Sequence, residues 1–414
     1  MSACRLARAI LGGAILGGWL LAGSGPAVAQ EIHWHGHVDL RGVHAGDDIA
    51  WDEGGLGKAR FGDGDDGIVL AAGVLSGTAQ LGPEVLVSTT LQVVPDHEQP
   101  LDVLDAWVRY RPVSTTPWRW SLRAGAFWAP ISLENEGVGW TSLWTLTPSA
   151  INSWVGEELR TIGAEASLEH RGESADITVF AALFGWNDPA GELLAARGWG
   201  LGDAYSGINA VLREPDVYAS RAHAPVPMAY RPFREIDGRP GWYAGVTREV
   251  RGVGRETLLY YDNRAERDSW ERFAGHRAFS WDTRFWSGAV QRRFGDYVVA
   301  AQAMAGSTVF EPQPGMVLDT RFHAGYLLLA RETGEWRPAV RVDLFGTGQR
   351  GPTSTPLEEH GNAVAVALNW RPRDHVRITG EVLRIDSTRA QRRLEGLDPR
   401  QVEWQVQVAA RLYF

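Results

Sequence analysis

The amino-acid sequence predicts an all-β fold, a transmembrane antiparallel β-barrel of about sixteen strands, and three observations predict it. The last segment, VEWQVQVAARLYF, alternates strictly: Trp404, Val406, Val408, Ala410, Leu412 and Phe414 share one face, and Gln405, Gln407, Ala409, Arg411 and Tyr413 share the other. A strand that is apolar outside, polar inside and ends on an aromatic residue is what a bacterial outer-membrane barrel needs to close its sheet; Leu412, Tyr413 and Phe414 are its expected assembly signal. At the other end, Arg5 and Arg8 precede an apolar run from Ala9 to Ala22, and Ala27, Val28 and Ala29 form a small-residue cleavage site before Gln30, the pattern of a secretory leader. Past the leader no apolar run is long enough for a spanning helix, so a membrane-embedded chain must close into a barrel to satisfy its backbone. Third, short and long connections alternate along the chain.

The first strand is expected at 32 to 44, followed by a long acidic loop at 45 to 66. A second strand at 67 to 79 turns through QLGPE into a third at 84 to 94, and PDHEQP leads to a fourth at 102 to 111. Pro112 to Pro117 turn the chain into a fifth at 118 to 128, and a long insertion follows at 129 to 157. Strands at 158 to 169 and 174 to 185 flank HRGES, and the longest connection is 186 to 239. Beyond it RGVGR, RRFGD, RETGEW and RPRDH are short charged or Gly-rich turns, while 265 to 279, 308 to 317, 347 to 358 and 387 to 400 are longer loops. Seven short turns and eight loops between sixteen strands put the short turns and both chain ends in the periplasm and the long loops outside. A propeller or solenoid would show a repeated motif, and none is found. The expected division is therefore a signal peptide at 1–29 and a barrel at 30–414.

Composition agrees. The 48 glycines and 19 tryptophans suit tight turns and aromatic girdles, and a mean hydropathy of -0.21 is expected when only alternate strand residues meet lipid. A net charge of -9 argues against nucleic acid as a partner. Cys4, the single cysteine, lies in the leader, so the mature chain is expected to have no thiol chemistry.

The residues expected to act line the lumen. The insertion at 129 to 157 stands where sixteen-stranded porins narrow their lumen, and with its edge it carries Glu134, Glu136, Glu157 and Glu158 with Trp140, Trp144 and Trp154. Strand phase places Arg41, Arg109, Arg119, Arg123, Arg284, Arg321, Arg337, Arg341, Arg377 and Arg411 inward, against Asp39, Asp105, Glu165, Glu169, Asp176, Asp282, Asp343 and Glu381. Arg123 and Arg341 are expected at mid-depth facing water, with Glu134 and Glu136 opposing at least one of them. The constriction set is thus Arg123, Arg341, Arg41, Arg109, Arg321, Glu134, Glu136 and Glu165. His33, His35 and His37 share a face at a spacing of roughly 7 Å, which suits a solvated row better than a metal site. The acidic loop, with its GDGDDG core, lacks the spacing and closing Glu of an EF-hand and reads as solvated surface. Gly-x-Ser-x-Gly is absent and no Ser, His and Asp set can be assembled, so neither an enzyme nor a cofactor is expected.

The stretch RAGAFWAPISLE, Arg123 to Glu134 with Gly125, Phe127, Pro130 and Glu134 at its fixed points, resembles the Gly-x-Phe-x-x-Pro segment of phosphate-selective porins O and P. ELRTIGAEASLEHRG, Glu158 to Gly172, and then Phe180 to Trp186 are similar to the two strands that follow in that family. The resemblance implies a sixteen-stranded, trimeric diffusion channel. The family's phosphate site uses a lysine cluster, which a chain with Lys58 as its one lysine does not supply, and Glu136 to Trp154 has no counterpart.

The expected function is a passive outer-membrane porin of a Gram-negative bacterium for small hydrophilic solutes, with weak anion preference. Its expected partners are outer-membrane lipid, lipopolysaccharide and the barrel assembly machinery. The alternatives are a channel for sugars or aromatic compounds, or a structural or adhesion barrel whose lumen is closed.

Overall fold

The computed structural model describes residues 31–216, 228–352 and 358–414; the expected leader lies outside them, as do parts of the loops at 186 to 239 and 347 to 358. Sixteen antiparallel strands close into one barrel. They are β1 (Glu31–Ala45), β2 (Gly67–Leu81), β3 (Val85–Val93), β4 (Leu101–Tyr110), β5 (Trp118–Phe127), β6 (Thr161–Arg171), β7 (Ala175–Gly185) and β8 (Gly241–Val250) in the first half. The second half comprises β9 (Gly254–Asp262), β10 (Asp282–Phe294), β11 (Tyr297–Phe310), β12 (Leu318–Arg331), β13 (Trp336–Arg350), β14 (Glu359–Arg373), β15 (Val376–Arg389) and β16 (Arg400–Tyr413). The expected strand order and short-long alternation hold; the sixth strand starts later than expected because Glu158 ends a helix.

Each strand pairs with its chain neighbours, and the ring is sealed by β1 against β16, in register from His37 opposite Tyr413 to Ala45 opposite Gln405. The terminal residue extends this seam: Gly36 N–H donates to the Phe414 carbonyl at 3.0 Å, and Phe414 N–H donates back to Gly36 at 3.2 Å. The seam needs a glycine, since a Cβ at position 36 would meet the Val74 carbonyl oxygen at 2.3 Å and the Phe414 ring at 2.6 Å.

Outward residues are apolar and exposed, among them Leu40, Leu122, Leu168, Val179, Leu183, Leu327, Leu344, Val366, Val408 and Leu412. Such an exterior is costly in water and suited to lipid. Aromatic side chains gather toward both rims: Trp118, Trp120, Phe294, Tyr297 and Trp336 near the short turns, and Trp286 and Trp404 toward the long loops.

The lumen holds a second core. The insertion after β5 enters the barrel and forms helix α1 (Ala150–Glu158); the long connection after β7 also enters and forms the short helix α2 (Glu192–Arg197), and every residue of both helices is buried. Trp154 on α1 packs edge-on against Trp199, Phe285 and Phe322 at 5.8, 5.6 and 5.1 Å. Wall residues Met304, Ala324, Phe345, Ala363, Ala365, Leu383 and Ile385 join that cluster. The walls of β10 to β15 therefore carry apolar residues on both faces, with polar anchors between them on the inner one.

This second core corrects part of the expected phase. On β12 the inward residues are Thr320, Phe322, Ala324, Tyr326 and Leu328, all buried, so Arg321 points out, its side chain 57% exposed and 3.6 Å from Asp319. On β10 the inward residues are Thr283, Phe285 and Ser287, so Arg284 and Asp282 face outward as well. A polarity rule that assumes a watery lumen misassigns a strand whose inner face packs against a plug.

The β1–β16 seam generates the first prediction. Deleting Phe414 removes two backbone hydrogen bonds and the ring that covers Gly36, and Gly36→Val should push the same ring aside. Both changes should sharply reduce heat-modifiable barrel in the outer membrane, measured by electrophoretic mobility with and without boiling; wild-type levels in both would show that the seam does not depend on this residue.

Candidate functional site

A chain that runs through a barrel lumen must find partners for its backbone groups there. The wall supplies them with carboxylates. Glu381 on β15 accepts from the N–H groups of Leu146 and Thr147 at 2.7 and 3.0 Å, and Asp343 on β13 accepts from Ala150 N–H at 3.1 Å. Ser149 caps α1, its hydroxyl accepting from Asn152 N–H at 3.3 Å, while Glu134 accepts from Ser149 N–H at 3.0 Å. Two carboxylates at a helix N-terminus also meet the positive end of its dipole.

Arg341 is the hub of this anchor. Its guanidinium donates to Asp343 at 2.7 Å, to Glu134 at 2.9 Å, and to the carbonyls of Thr147 and Pro148 at 2.6 and 2.9 Å. Arg341 and Glu134 do meet, as expected, and both have fully buried side chains. Arg341 does not face water: it staples the insertion to β13, its one guanidinium shared between the Glu134 and Asp343 carboxylates.

Arg41 is likewise corrected from a pore-lining residue to a staple. It donates to Asp39 at 2.7 Å and pairs with Asp203 from the loop after β7, while Arg60 reaches Asp203 at 3.0 Å and Arg411 reaches Asp39 at 2.7 Å. Nearby, Lys58 pairs with Glu359 inside the barrel, and the amides of Lys58 and Ala59 donate to Glu403. On the plug itself Arg197 holds Glu157 at 2.6 Å.

The wall of β4 to β6 differs. Arg109, Trp107, Arg119, Arg123, Glu165 and Glu169 stay partly exposed or at the edge of burial and face the lumen. Arg123 pairs with Glu165 at 2.9 Å, and Tyr243 O–H donates to the same carboxylate at 2.6 Å; Arg119 lies 3.7 Å from Glu169. The Trp107 ring sits between two guanidiniums, its centroid 5.9 Å from that of Arg109 and 5.8 Å from that of Arg123. Arg123 also lies 3.9 Å above the Phe127 ring, and Arg160 lies 3.1 Å above Trp128, whose other face stacks on Trp140 at 4.0 Å. Cationic groups over aromatic faces are favourable and grow more so when desolvated.

Sequence and backbone make this wall. Gly125 has φ 129°, and a Cβ there would meet the Ala106 carbonyl oxygen at 2.3 Å and Trp107 Cα at 2.7 Å, so the glycine of the AGAF stretch lets β5 approach the Trp107 position. Gly139 and Trp140 are both left-handed, at φ 68° and 60°; the turn they make lays Trp140 on Trp128, and a tryptophan there is strained. Glu136 lies against Arg255 on β9, a different partner from the expected Arg123 or Arg341.

Strand phase located Arg109, Arg123 and Glu165 correctly and missed Trp107, Trp128 and Arg160. Trp107 was within reach, since it lies between Asp105 and Arg109, both assigned inward. Trp128 and Arg160 fall in the expected fifth and sixth strands on the outward phase, but those strands end at Phe127 and begin at Thr161, so the period does not reach either residue. The histidine row divides: His33 and His35 are exposed, whereas His37 is buried with its ring 5.5 Å from that of Tyr413.

Among the described residues, one acidic trio gathers three carboxylates, Asp188, Glu235 and Asp237. Their oxygens already serve the loop backbone: Asp188 accepts from Ile236 and Asp237, and Glu235 accepts from Trp186 at 2.9 Å and Gly238 at 2.8 Å. Burial pushes Asp188 up to about 7. A second acidic pair lies within the plug, where Glu192 and Glu214 are 4% and 5% exposed. Burial first, then their mutual proximity, drives Glu192 well above the ordinary carboxylate range, and burial raises Glu214 with it.

No family model and no curated protein matches the chain. Solved structures do resemble it in fold. The outer membrane channel DcaP of Acinetobacter baumannii is 12% identical with a TM-score of 0.54, the match covering 95% of this chain and 100% of that one. OmpT, an outer membrane protein of Vibrio cholerae, is 9% identical with a TM-score of 0.52 over 95% and 100% of the two chains, and its trimer form gives 0.51 at 9% identity over 93% and 100%.

Two predictions follow from the anchors. Arg341→Ala leaves Glu134 and Asp343 buried without their cation, a loss of about 3–5 kcal/mol; urea unfolding in detergent should show it, and a change below about 1 kcal/mol would mean the site is solvated. For Glu192 and Glu214 the folded state binds protons more tightly than the unfolded chain. The contribution of Glu214 is therefore fully present below the unfolded value of 4.5 and fades as pH rises through about 7, and that of Glu192 fades in the same direction. Thermal unfolding should show stability falling across that interval, and Glu214→Gln should flatten the slope; an unchanged slope would place the pH dependence elsewhere.

Proposed function

We propose that this chain is an outer-membrane channel of a Gram-negative bacterium that passes small hydrophilic solutes by diffusion, favouring anions, along the β4–β6 wall. The observation that carries this reading is the contrast between the two sides of the lumen. On one side guanidiniums are buried against carboxylates and hold a plug; on the other, Arg109 has no ion pair among the described residues and faces the lumen beside Arg111, Arg119 and Arg123. Exposed guanidiniums in confined water lower the energy of a passing anion. The apolar exterior supports the membrane location, and the likeness to an outer membrane channel and to a trimer-forming outer membrane protein supports a channel working as a homotrimer.

The resemblance of Arg123 to Glu134 to phosphate-selective porins supports an anion pathway without supporting phosphate in particular, because Lys58 is buried against Glu359. A second reading, a structural or adhesion barrel with a closed lumen, is favoured by the complete burial of α1 and α2.

Planar-bilayer recording separates the two. The channel reading expects discrete conductance steps and a reversal potential on the anion side in a potassium chloride gradient. Replacing Arg109 and Arg123 by Glu should lower the anion-to-cation permeability ratio by about three- to tenfold, which corresponds to ~0.7–1.4 kcal/mol. Correctly folded protein that yields no steps would establish the closed barrel.

A further inference from the structure

We propose that the lumenal wall from Trp107 to Arg160 is a binding subsite for a planar organic anion, an aromatic carboxylate. This inference rests on the channel reading and names its solute class.

The first ground is a set of buried donors without partners. Arg160 is 2% exposed; one nitrogen donates to the Ser206 carbonyl at 2.6 Å, but Nε and Nη1 have no acceptor. Trp128 Nε1, Arg123 Nε and Arg109 Nε are buried and unpaired as well. Buried donors are nearly always satisfied, and an unpaired buried guanidinium is the most costly of them. These residues are contiguous. Arg160 lies over Trp128, the Trp128 carbonyl is 3.5 Å from an Arg123 nitrogen, and Arg123 and Arg109 flank Trp107.

Charge gives the sign. Arg109, Arg123 and Arg160 face Asp102, Asp105 and Glu165, and the Asp102 oxygens are already taken by Val103 N–H and Asn209. Glu165 is engaged by Arg123 and Tyr243, and Asp105 accepts from Thr90 and Trp107. None of these three carboxylates makes a direct ion pair with Arg160. A ligand that completes Arg160 must bring acceptor oxygens and negative charge, and a carboxylate matches the guanidinium fork.

Shape gives the rest. The partly exposed Trp107 ring stands between Arg109 and Arg123, a few residues along the wall from Arg160. A flat ring can lie on that indole while its carboxylate reaches a guanidinium. Acetate offers the same charge with no face to stack, and glucose offers no charge.

Isothermal titration of the folded barrel in detergent with benzoate, acetate and glucose tests this without depending on conduction, and potassium chloride conductance is recorded in parallel. Benzoate should bind at least about tenfold tighter than acetate, with no heat from glucose. Trp107→Ala should bring benzoate down to acetate, and Arg160→Gln should abolish both. Arg160→Lys, which keeps the charge and loses the fork, should weaken benzoate if the Gln variant fails to fold. Arg321→Gln, outside the barrel, should bind benzoate unchanged, which excludes a general effect of removing an arginine, while the loss in the Trp107 and Arg160 variants excludes partition into detergent. Equal affinity for benzoate and acetate, or benzoate binding that survives Trp107→Ala, would overturn the subsite even if the protein conducts. Absence of conductance with benzoate binding intact would instead overturn the channel reading.

Discussion

Closure of β1 on β16 is the constraint on which the rest of the molecule depends. In hydrocarbon an unpaired backbone N–H or C=O costs several kcal/mol, so an open sheet of this size would expose two edges with no partner. The seam from Gly36 and Phe414 to Ala45 and Gln405 removes both. Once the ring is shut, the alternation of side chains separates a lipid face from an interior, and the interior becomes a place where chain can be buried.

The chain uses that interior unevenly. Three connections, those after β1, β5 and β7, enter it and are held by charges from the walls of β1 and β13 to β16: Arg341 with Glu134 and Asp343, Arg41 with Asp39 and Asp203, Lys58 with Glu359. Desolvating so many ions is justified energetically only where each meets its partner and the remaining polar atoms are hydrogen-bonded, and these sites come close to that. Across the lumen, Arg109, Arg123 and Arg160 keep unpaired N–H groups, as Arg377 and Arg411 also do on β15 and β16, and Arg109 and Arg160 have no ion pair among the described residues. The same residue type is structural on one wall and available on the other. What decides is the supply of carboxylates and backbone carbonyls from the inserted chain.

That distinction limits what a sequence reveals. The barrel, its strand number and the inward phase of Arg109, Arg123 and Glu165 were legible because the period of a strand is two and one side of the sheet meets lipid. Arg321 and Arg284 were misplaced because their strands carry Phe322 and Phe285 inward against Trp154, and apolar residues on both faces erase the alternation. Arg341 was placed in the lumen correctly but in the wrong medium: whether an inward arginine meets water or a helix N-terminus depends on how residues 129 to 157 fold. Trp128 and Arg160 sit in that insertion or beside it, where contacts distant in sequence set position.

On the proposed function, the water path follows β4 to β6 while the β13 wall is sealed. Cys4 is the only cysteine and lies in the expected leader, so a single cysteine can be placed in the mature chain without background. The most direct measurement is the bilayer current of Arg109→Cys and Asp343→Cys variants during exposure to an anionic, membrane-impermeant thiol reagent. The account predicts stepwise loss of current at position 109 and no response at 343. Modification at 343 with none at 109 would contradict it.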